Sequence, residues 1–270
     1  MNLTCANYRT PEADAAYWSN SQYKSILECP ARYAAELRGE WTPDPSTALL
    51  VGSYVDIALL TPDDLPAFVE AQRKEICTAK GELRADFQRA EAMIERVRRE
   101  PDFMSAIDGE HQVLLTWELA GVHWKGLADC IDAERSMLTD LKTCRDFESA
   151  WDAASRTRLP FYECWDYWRQ MALYRLGYQA RHGALPEWVF IAAVTKEKHP
   201  RCKVLSFGQG NREHERFKHE IEKVEQIMPQ LIEEKAAILA GSTDLRHCGQ
   251  CDYCADVLPC RIEEAESLKW

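Results

Sequence analysis

The sequence lacks several features that would set its class at once. It has no internal repeat, no low-complexity tract and no apolar run long enough to cross a bilayer. The most apolar stretch, residues 48–60, is short and is interrupted by Asp56. The first residues have neither a basic segment nor an apolar core, so we expect no secretory signal. These absences predict a protein that is not bound to a membrane and that works in the cytoplasm of a bacterial or phage-infected host cell.

An excess of positive charge is also missing, since 33 Lys and Arg stand against 44 Asp and Glu, for a net charge of -11. This balance disfavours a passive nucleic-acid binder, although an enzyme that holds divalent metal ions with carboxylates can be acidic overall. The 270 residues are 46% hydrophobic and 29% charged, which is ordinary globular composition. Eleven cysteines without an export signal indicate a reducing compartment, where thiols are core residues or metal ligands.

The order of predicted elements indicates an α/β fold in which a small mixed sheet is flanked by helices. We expect one domain, 1–270, with a helical part (1–105), a central core (106–240) and a cysteine-rich tail (241–270). Capping residues and apolar periodicity predict helices, with a break at Pro30 in the first, over 19–37, 46–60, 81–100, 146–157, 163–181 and 212–240. Alternating polarity predicts strands over 112–119, 122–133, 137–143, 188–195 and 202–207.

Acidic residues on two neighbouring strands form the main candidate site. Asp140 and Lys142 share one face of their strand, because side chains alternate along a strand, and a tight hairpin would bring Asp129 beside Asp140. Two converging carboxylates need a cation, for which Mg²⁺ is the natural choice, and the lysine could then orient an attacking water near a phosphate. The alternative is an exposed hairpin whose Asp and Lys side chains are simply solvated.

Two further segments favour a site over a solvated hairpin. Gln170 and Tyr174 are four residues apart and therefore lie on one face of the next predicted helix. Asp56 lies inside an apolar helix, where a lone carboxylate is costly unless it is paired or bound to metal. Asp56 is therefore a third candidate metal ligand, whereas Glu110, just before the first strand, is expected to be solvated.

These segments together resemble the PD-(D/E)xK nuclease superfamily. Within it, the chain is similar to the RecE-like exonucleases of phages and prophages, of the exonuclease VIII type. The resemblance covers about residues 19 to 200 and rests on the order of its segments: Cys29-Pro30-Ala31-Arg32-Tyr33, Gly52 to Leu60 with Pro62, Trp124-Lys125-Gly126 with Asp129, Asp140-Leu141-Lys142-Thr143, Gln170 to Tyr174, and Trp188 to Pro200. It implies the restriction-endonuclease-like core of that superfamily.

The resemblance implies a role for each matching residue. Asp129, Asp140 and the Leu141 carbonyl would bind Mg²⁺ or Mn²⁺, and Lys142 would support the nucleophilic water. Gln170 and Tyr174 would contact DNA or brace the site. The chain has Asp56 where RecE-like enzymes usually carry histidine, so Asp56 is expected to keep a metal-binding role while leaving the preferred metal open.

The tail contains four closely spaced cysteines, Cys248, Cys251, Cys254 and Cys260, in the pattern C-x2-C-x2-C-x5-C, which indicates a metal or cluster site. The last three resemble the C-terminal motif of iron–sulfur nucleases in the RecB and CRISPR-adaptation lineages, which take a fourth ligand from far upstream. That resemblance implies a [4Fe–4S] cluster on Cys29, Cys251, Cys254 and Cys260, with Cys248 as a spare or alternative ligand. Structural Zn²⁺ on the tail cysteines is the alternative.

The sequence therefore predicts a metal-dependent DNA exonuclease. By resemblance it would degrade duplex ends 5′ to 3′ in phage-type recombination, form a homo-oligomer and supply single strands to an annealing protein. One alternative is an iron–sulfur nuclease of the CRISPR-adaptation kind that acts on single strands or overhangs. Others are an iron–sulfur or zinc protein with redox or DNA-binding function, or a DNA-binding module with an inactive nuclease site.

Overall fold

The computed structural model describes residues 2–43, 46–152, 156–207 and 211–259. The chain divides into two compact units. The first contains Met1–Asn20 and Ser46–Gln226, and the second contains Ser21–Pro45 and Ile227–Trp270.

Helices occupy most of the described residues before 107 and after 210. The predicted helices over 46–60, 81–100 and 212–240 correspond to α4, α7 and α11, and the predicted break at Pro30 separates α2 from α3. In chain order they are α1 (Pro11–Ala16), α2 (Asn20–Glu28), α3 (Pro30–Arg38), α4 (Thr47–Leu60), α5 (Leu65–Ala71), α6 (Arg73–Ile76), α7 (Ala85–Arg98), α8 (Pro101–Ala106), α9 (Phe161–Cys164), α10 (Tyr167–His182), α11 (Asn211–Leu239) and α12 (Asp252–Val257).

The first unit is built on a five-stranded mixed sheet in the order β1-β2-β3-β6-β7. Only β3 and β6 are parallel, because α10 connects them, and the other neighbours pair antiparallel. The predicted α/β fold with a small mixed sheet flanked by helices is confirmed. The strands are β1 (Glu110–Leu119), β2 (Val122–Asp132), β3 (Met137–Cys144), β4 (Ala150–Asp152), β5 (Thr157–Leu159), β6 (Trp188–Thr195) and β7 (Cys202–Ser206).

The two sides of β3 face different layers. Leu141 belongs to the main apolar core, which α4, α7 and α8 form against this side of the sheet. Asp140 faces the other side, where it accepts a hydrogen bond from Gln170 of α10. Because side chains alternate along β3, an apolar layer lies behind the acidic residues. Burial of Leu141 in that layer fixes the register of the strand that carries the candidate site.

The predicted helix over 146–157 is wrong, because β4 and β5 form a short antiparallel hairpin there, with Trp151 opposite Arg158. Asp146 accepts a hydrogen bond from the Glu148 N–H, which begins a turn where a helix was expected. Phe147 packs against Phe161 rather than along a helical stripe. The following helix begins at Tyr167, after Asp166 in the left-handed conformation, rather than at residue 163.

The second unit joins the segment 21–45 to the end of the chain. Gln22 accepts a hydrogen bond of 3.0 Å from Lys235 of α11 and donates one of 2.8 Å to the Tyr33 hydroxyl. The Arg246 guanidinium donates to the last carbonyls of α2, those of Ile26, Leu27 and Glu28, and pairs with Glu234. Arg246 therefore caps α2 at the point where the chain turns at Cys29 into α3.

Within the described ranges, we find no helix that combines the length and the apolar character that a membrane crossing requires.

Candidate active site and thiol cluster

The candidate active site lies where β2 and β3 run side by side. The two strands pair with Cys130 opposite Thr139, and Asp129 and Asp140 lie one residue beyond this pair, each on its own strand. The Lys142 ammonium nitrogen lies 2.5 Å from Asp140 Oδ2, so the two side chains share a face as the strand period predicted. The structure thus brings Asp129, Asp140 and Lys142 together, and the solvated-hairpin alternative does not fit Asp140, which is 2% exposed.

Hydrogen bonds fix the two carboxylates. Asp129 accepts from the backbone N–H of Leu141 at 2.8 Å and from the side-chain amide of Gln112 at 3.2 Å. Asp140 Oδ1 accepts from the Gln170 amide at 2.9 Å. Each carboxylate is therefore held by a neighbouring strand or helix, which orients both groups before any ligand binds.

Asp56 reaches this site from α4. A Cβ atom added to Gly52, one turn earlier on the same helix, would lie 3.2 Å from Thr143 Oγ1, so the absence of a side chain lets α4 approach β3 closely. Asp56 interacts electrostatically with Asp140, Lys142 and Lys196. Lys196, which follows β6 and donates to the Ala48 carbonyl, is a functional candidate that the sequence analysis did not single out.

The electrostatics of the three acids depend on one another. Partial burial raises the pKa of Asp56 to about 7, with the Asp140 charge adding to this effect and Lys142 opposing it. Burial, together with the charges of Asp140 and Asp56, also raises the pKa of Asp129 well above its usual range. Burial alone would lower the pKa of Lys142, but Asp140 and Asp129 outweigh it and raise that pKa. The acids thus form a cluster that an added cation would stabilise.

Helix α10 contributes a bracing layer. Tyr174 is buried, and its ring occupies the space beside Gly126 of β2, where an added Cβ would lie 2.9 Å from the ring. Tyr167 is also buried, with its ring centre 5.6 Å from the Lys142 ammonium nitrogen. Gln170 touches Asp140, whereas the Tyr174 ring packs against β2, and a DNA contact of either residue stays a prediction.

Two residues near the site were missed or expected to be passive. Gln112 is in the left-handed backbone conformation, with φ of 52°, and lies beside Asp129. Such a conformation is costly for a residue other than glycine. The local sequence gives no signal for it, because Gln112 meets Asp129 only through the pairing of β1 with β2. Glu110 is largely exposed and pairs with Arg181 at 3.1 Å.

The thiol cluster belongs to the second unit. The sulfur atoms of Cys29, Cys248, Cys251 and Cys254 all lie within 4.8 Å of one another. Cys29 and Cys254 are buried, and their sulfurs are 3.7 Å apart, while those of Cys248 and Cys254 are 3.9 Å apart. The structure thus places Cys29 beside the tail cysteines, which the predicted link between them requires. Cys260 lies outside the described residues.

The chemistry of this cluster suits a cation. Burial alone would raise the pKa of the Cys248 thiol, but the N–H groups of Gln250 and Cys251, which point at its sulfur, lower it to about 6. Burial raises the pKa of Cys251 to about 12, and its thiol neighbours add to the effect. Four thiols this close cannot all ionise without a bound cation, so the donor set fits a metal site.

Comparison with known proteins places these features in a family. Residues 19–257 match the family model described as "PDDEXK-like domain of unknown function (DUF3799)". A crystal structure from Eubacterium rectale, of a protein named as a candidate exonuclease, superimposes with a TM-score of 0.85 at 30% identity, over 98% of this chain and 97% of that chain.

Two other results carry no argument. The crystal structure of SSO0001 aligns over 87% of this chain and 96% of that chain, at 14% identity and a TM-score of only 0.31. No curated protein matches the sequence.

Proposed function

The chain belongs to the family of PDDEXK-like domains that its sequence matches, and from this membership we propose that it is a DNA exonuclease dependent on Mg²⁺ or Mn²⁺. The family and the E. rectale protein support a nuclease. The observation that carries the proposal is that Asp129 accepts a hydrogen bond from the N–H of Leu141, directly after Asp140, with Lys142 and Gln170 both in contact with Asp140. Paired carboxylates next to a lysine are what metal-assisted phosphodiester hydrolysis requires.

Asp129 and Asp140 would hold the metal ion, with the Leu141 carbonyl and Asp56 as the further candidate ligands. The donor set is entirely oxygen, which suits hard ions such as Mg²⁺ and Mn²⁺. A bound ion of this kind activates water and stabilises the charge that develops on a phosphate.

Other residues of the chain would orient the water and the phosphate and would position the carboxylates. The Lys142 ammonium stays charged because two carboxylates raise its pKa, so it can orient a water and donate hydrogen bonds to a phosphate oxygen. Gln170 and Gln112 each donate to one carboxylate and so keep the two acids in a fixed orientation. Tyr174, buried against Gly126, supports the strand from behind and is a positioning residue rather than a DNA contact.

The finer parts of the proposal come from the resemblance to RecE-like exonucleases. They are 5′-to-3′ degradation from duplex ends, a homo-oligomer around DNA, and a role in phage-type recombination beside a single-strand annealing protein.

One assay tests the function and its polarity. Linear duplex and single-stranded DNA, labelled at either the 5′ or the 3′ end, is incubated with Mg²⁺, Mn²⁺ or a chelator. We expect a 5′ label on duplex DNA to be released first as a small product, only with metal, and a closed circular duplex to resist. If closed circles are cut, the protein is an endonuclease and not an exonuclease. A preference for single strands would favour the CRISPR-adaptation alternative.

A matched pair of variants ties this activity to the site. Asp140→Asn removes one carboxylate charge from the acidic pair, whereas Asp132→Asn changes an acid of the same hairpin that pairs with Arg135 instead. Cleavage that disappears in the first variant and persists in the second supports the assignment. Equal cleavage by Asp140→Asn and the unmodified protein would exclude this site.

A further inference from the structure

The four described thiols lie closer together than the expected [4Fe–4S] site requires. Cys248, expected to be a spare or an alternative ligand, lies within the cluster, with its sulfur 3.9 Å from that of Cys254. The sulfurs of Cys29 and Cys254 are 3.7 Å apart. A cubane separates its four thiolates considerably more than a single ion does, because each thiolate binds a different iron atom around a core of iron and sulfide.

These distances match those around one tetrahedral ion. With metal–sulfur bonds of about 2.3 Å in a tetrahedron, neighbouring sulfurs lie about 3.8 Å apart. The two separations of 3.7 and 3.9 Å bracket this value, and all four sulfurs lie within 4.8 Å. We propose that Cys29, Cys248, Cys251 and Cys254 form a structural zinc site that binds one Zn²⁺ ion.

The local backbone is shaped for such an ion. The segment Cys248-Gly249-Gln250-Cys251 turns at Gly249, whose φ is +73°, a conformation that glycine adopts without strain. As a result, the N–H groups of Gln250 and Cys251 point at the Cys248 sulfur, at 3.5 and 3.3 Å. Backbone N–H groups directed at a sulfur favour a thiolate, which is the form that binds metal.

Charge compensation supports the same site. Four thiolates around one Zn²⁺ leave a net charge of about -2, which is costly in a partly buried cluster without nearby cations. Arg246 interacts electrostatically with Cys29 and Cys248, and Arg32 with Cys251. Two guanidinium groups thus lie beside the thiols.

The site would also hold the tail in place. Among the described residues, the apolar cluster around it has seven members, of which four are these cysteines and the others are Ala31, Leu245 and Tyr253. An apolar cluster of this size contributes little cohesion of its own. Zinc would therefore join the turn between α2 and α3 to residues 248–254. Among the first-row ions, zinc binds thiolates more tightly than Fe²⁺.

The metal content of the whole protein tests this proposal directly and is independent of nuclease activity, because no substrate is needed. The chain is produced with both iron and zinc supplied, purified without oxygen, and analysed for metals and acid-labile sulfide. We expect about one zinc per chain and no sulfide. Iron and sulfide in equal amounts would overturn the proposal in favour of the cluster, and one iron without sulfide would overturn the choice of zinc.

A second measurement identifies the ligands. Cys248→Ser should lose the zinc, while Cys260→Ser should keep it, with Cys164→Ser as a control thiol in the first unit. Loss of metal in Cys260→Ser but not in Cys248→Ser would overturn the assignment. If a variant is insoluble, Co²⁺ can be exchanged into the unmodified protein instead. We expect the intense visible absorption of tetrahedral thiolate coordination. A spectrum of six-coordinate Co²⁺ would contradict the proposed site.

Discussion

The side-chain amide of Gln170 donates a hydrogen bond of 2.9 Å to Asp140 Oδ1, and this contact links α10 to the strand that carries the acids. The other oxygen of Asp140 faces the Lys142 ammonium. Asp140 is therefore held on both sides, which restricts it to one orientation, and a preorganised carboxylate binds its ligand without a further loss of side-chain freedom.

Gln170→Ala should weaken catalysis without abolishing it. The variant leaves every candidate metal ligand in place but frees one side of Asp140, so we expect kcat to fall by about 10- to 100-fold with a raised requirement for metal. The measurement is cleavage rate against Mg²⁺ concentration. Gln179→Ala, an exposed change on the same helix, is the control. If the two variants behave alike, the contact with Asp140 has no catalytic role.

Lys142→Ala should remove most of the cleavage activity. The ammonium is the positive charge closest to Asp140, and losing a group that stabilises developing charge commonly costs about 10²- to 10³-fold in kcat. Because two acids would then lack their counterion, added Mg²⁺ should raise the melting temperature more in this variant than in the unmodified chain. Full activity in a correctly folded Lys142→Ala protein would contradict the role given to the lysine.

The sequence was sufficient to predict the strands β1, β2, β3, β6 and β7 and the face that Asp140 and Lys142 share. Strand period and helix caps are signals in the local sequence, so they can be read without knowing the fold. The burial of Leu141 in the apolar core, between Asp140 and Lys142 on the other face, follows the same strand period. The helix predicted over 146–157 was wrong because the hairpin found there depends on tertiary contacts, such as that of Phe147 with Phe161. Such contacts override local propensity.

The parts of the site that the sequence analysis missed share one property: long-range contacts create them. Gln112 matters because β1 pairs with β2 in a register that sets it near Asp129, and Lys196 because β6 ends close to α4. Neither residue type is unusual where it occurs. Cys248, which the sequence left as a spare or alternative ligand, is similar, since spacing alone does not distinguish it from Cys260 as a partner for Cys29.

Gly126→Ala should destabilise the first unit and lower activity together. An added Cβ would lie 2.9 Å from the Tyr174 ring and 3.2 Å from the Trp117 ring, so one of them must move. Overpacking of this kind costs about 1–3 kcal/mol in the free energy of unfolding. Thermal or urea unfolding measures the loss. Gly121→Ala, at a turn where an added Cβ meets nothing within 4 Å, is a partial control, since only its positive φ is strained.

Combining Gly126→Ala with Tyr174→Leu should restore part of that stability, because the smaller side chain removes the clash. If the double variant is no more stable than the sum of the two single changes predicts, the contact between Gly126 and Tyr174 does not limit stability.

Asp56 makes the stability of the metal-free protein depend on pH. Its pKa rises to about 7 in the folded state, above the value of an unfolded chain, so the folded state binds the proton more tightly. The resulting stabilisation is fully present below about pH 4 and is lost as the pH rises towards 7. Asp56→Asn should flatten this part of the profile of unfolding free energy, measured with a chelator present. An unchanged slope would show that Asp56 is not coupled to the acids.

The buried ion pair between Lys125 and Asp14 gives a prediction for the strand that leads to the site. Lys125 is 1% exposed, and its ammonium nitrogen lies 2.6 Å from Asp14 Oδ1 and 2.5 Å from the Tyr8 carbonyl oxygen. Asp14→Asn would leave the buried Lys125 charge without its counterion. Breaking a fully buried ion pair lowers the free energy of unfolding by about 3–5 kcal/mol, and we expect a smaller loss here because Asp14 is partly exposed.

Glu12→Gln, an exposed change on the same short helix, should leave the free energy of unfolding unaltered and serves as the control. Lys125→Met together with Asp14→Asn should be more stable than Asp14→Asn alone, because an apolar side chain of similar length can fill the site without an unpaired charge. Chemical denaturation of the four proteins gives the comparison. The centre of the Tyr8 ring lies 4.8 Å from the Lys125 ammonium nitrogen. A double variant that is less stable than Asp14→Asn would mean that the Tyr8 carbonyl and ring, and not Asp14, mainly hold this ammonium.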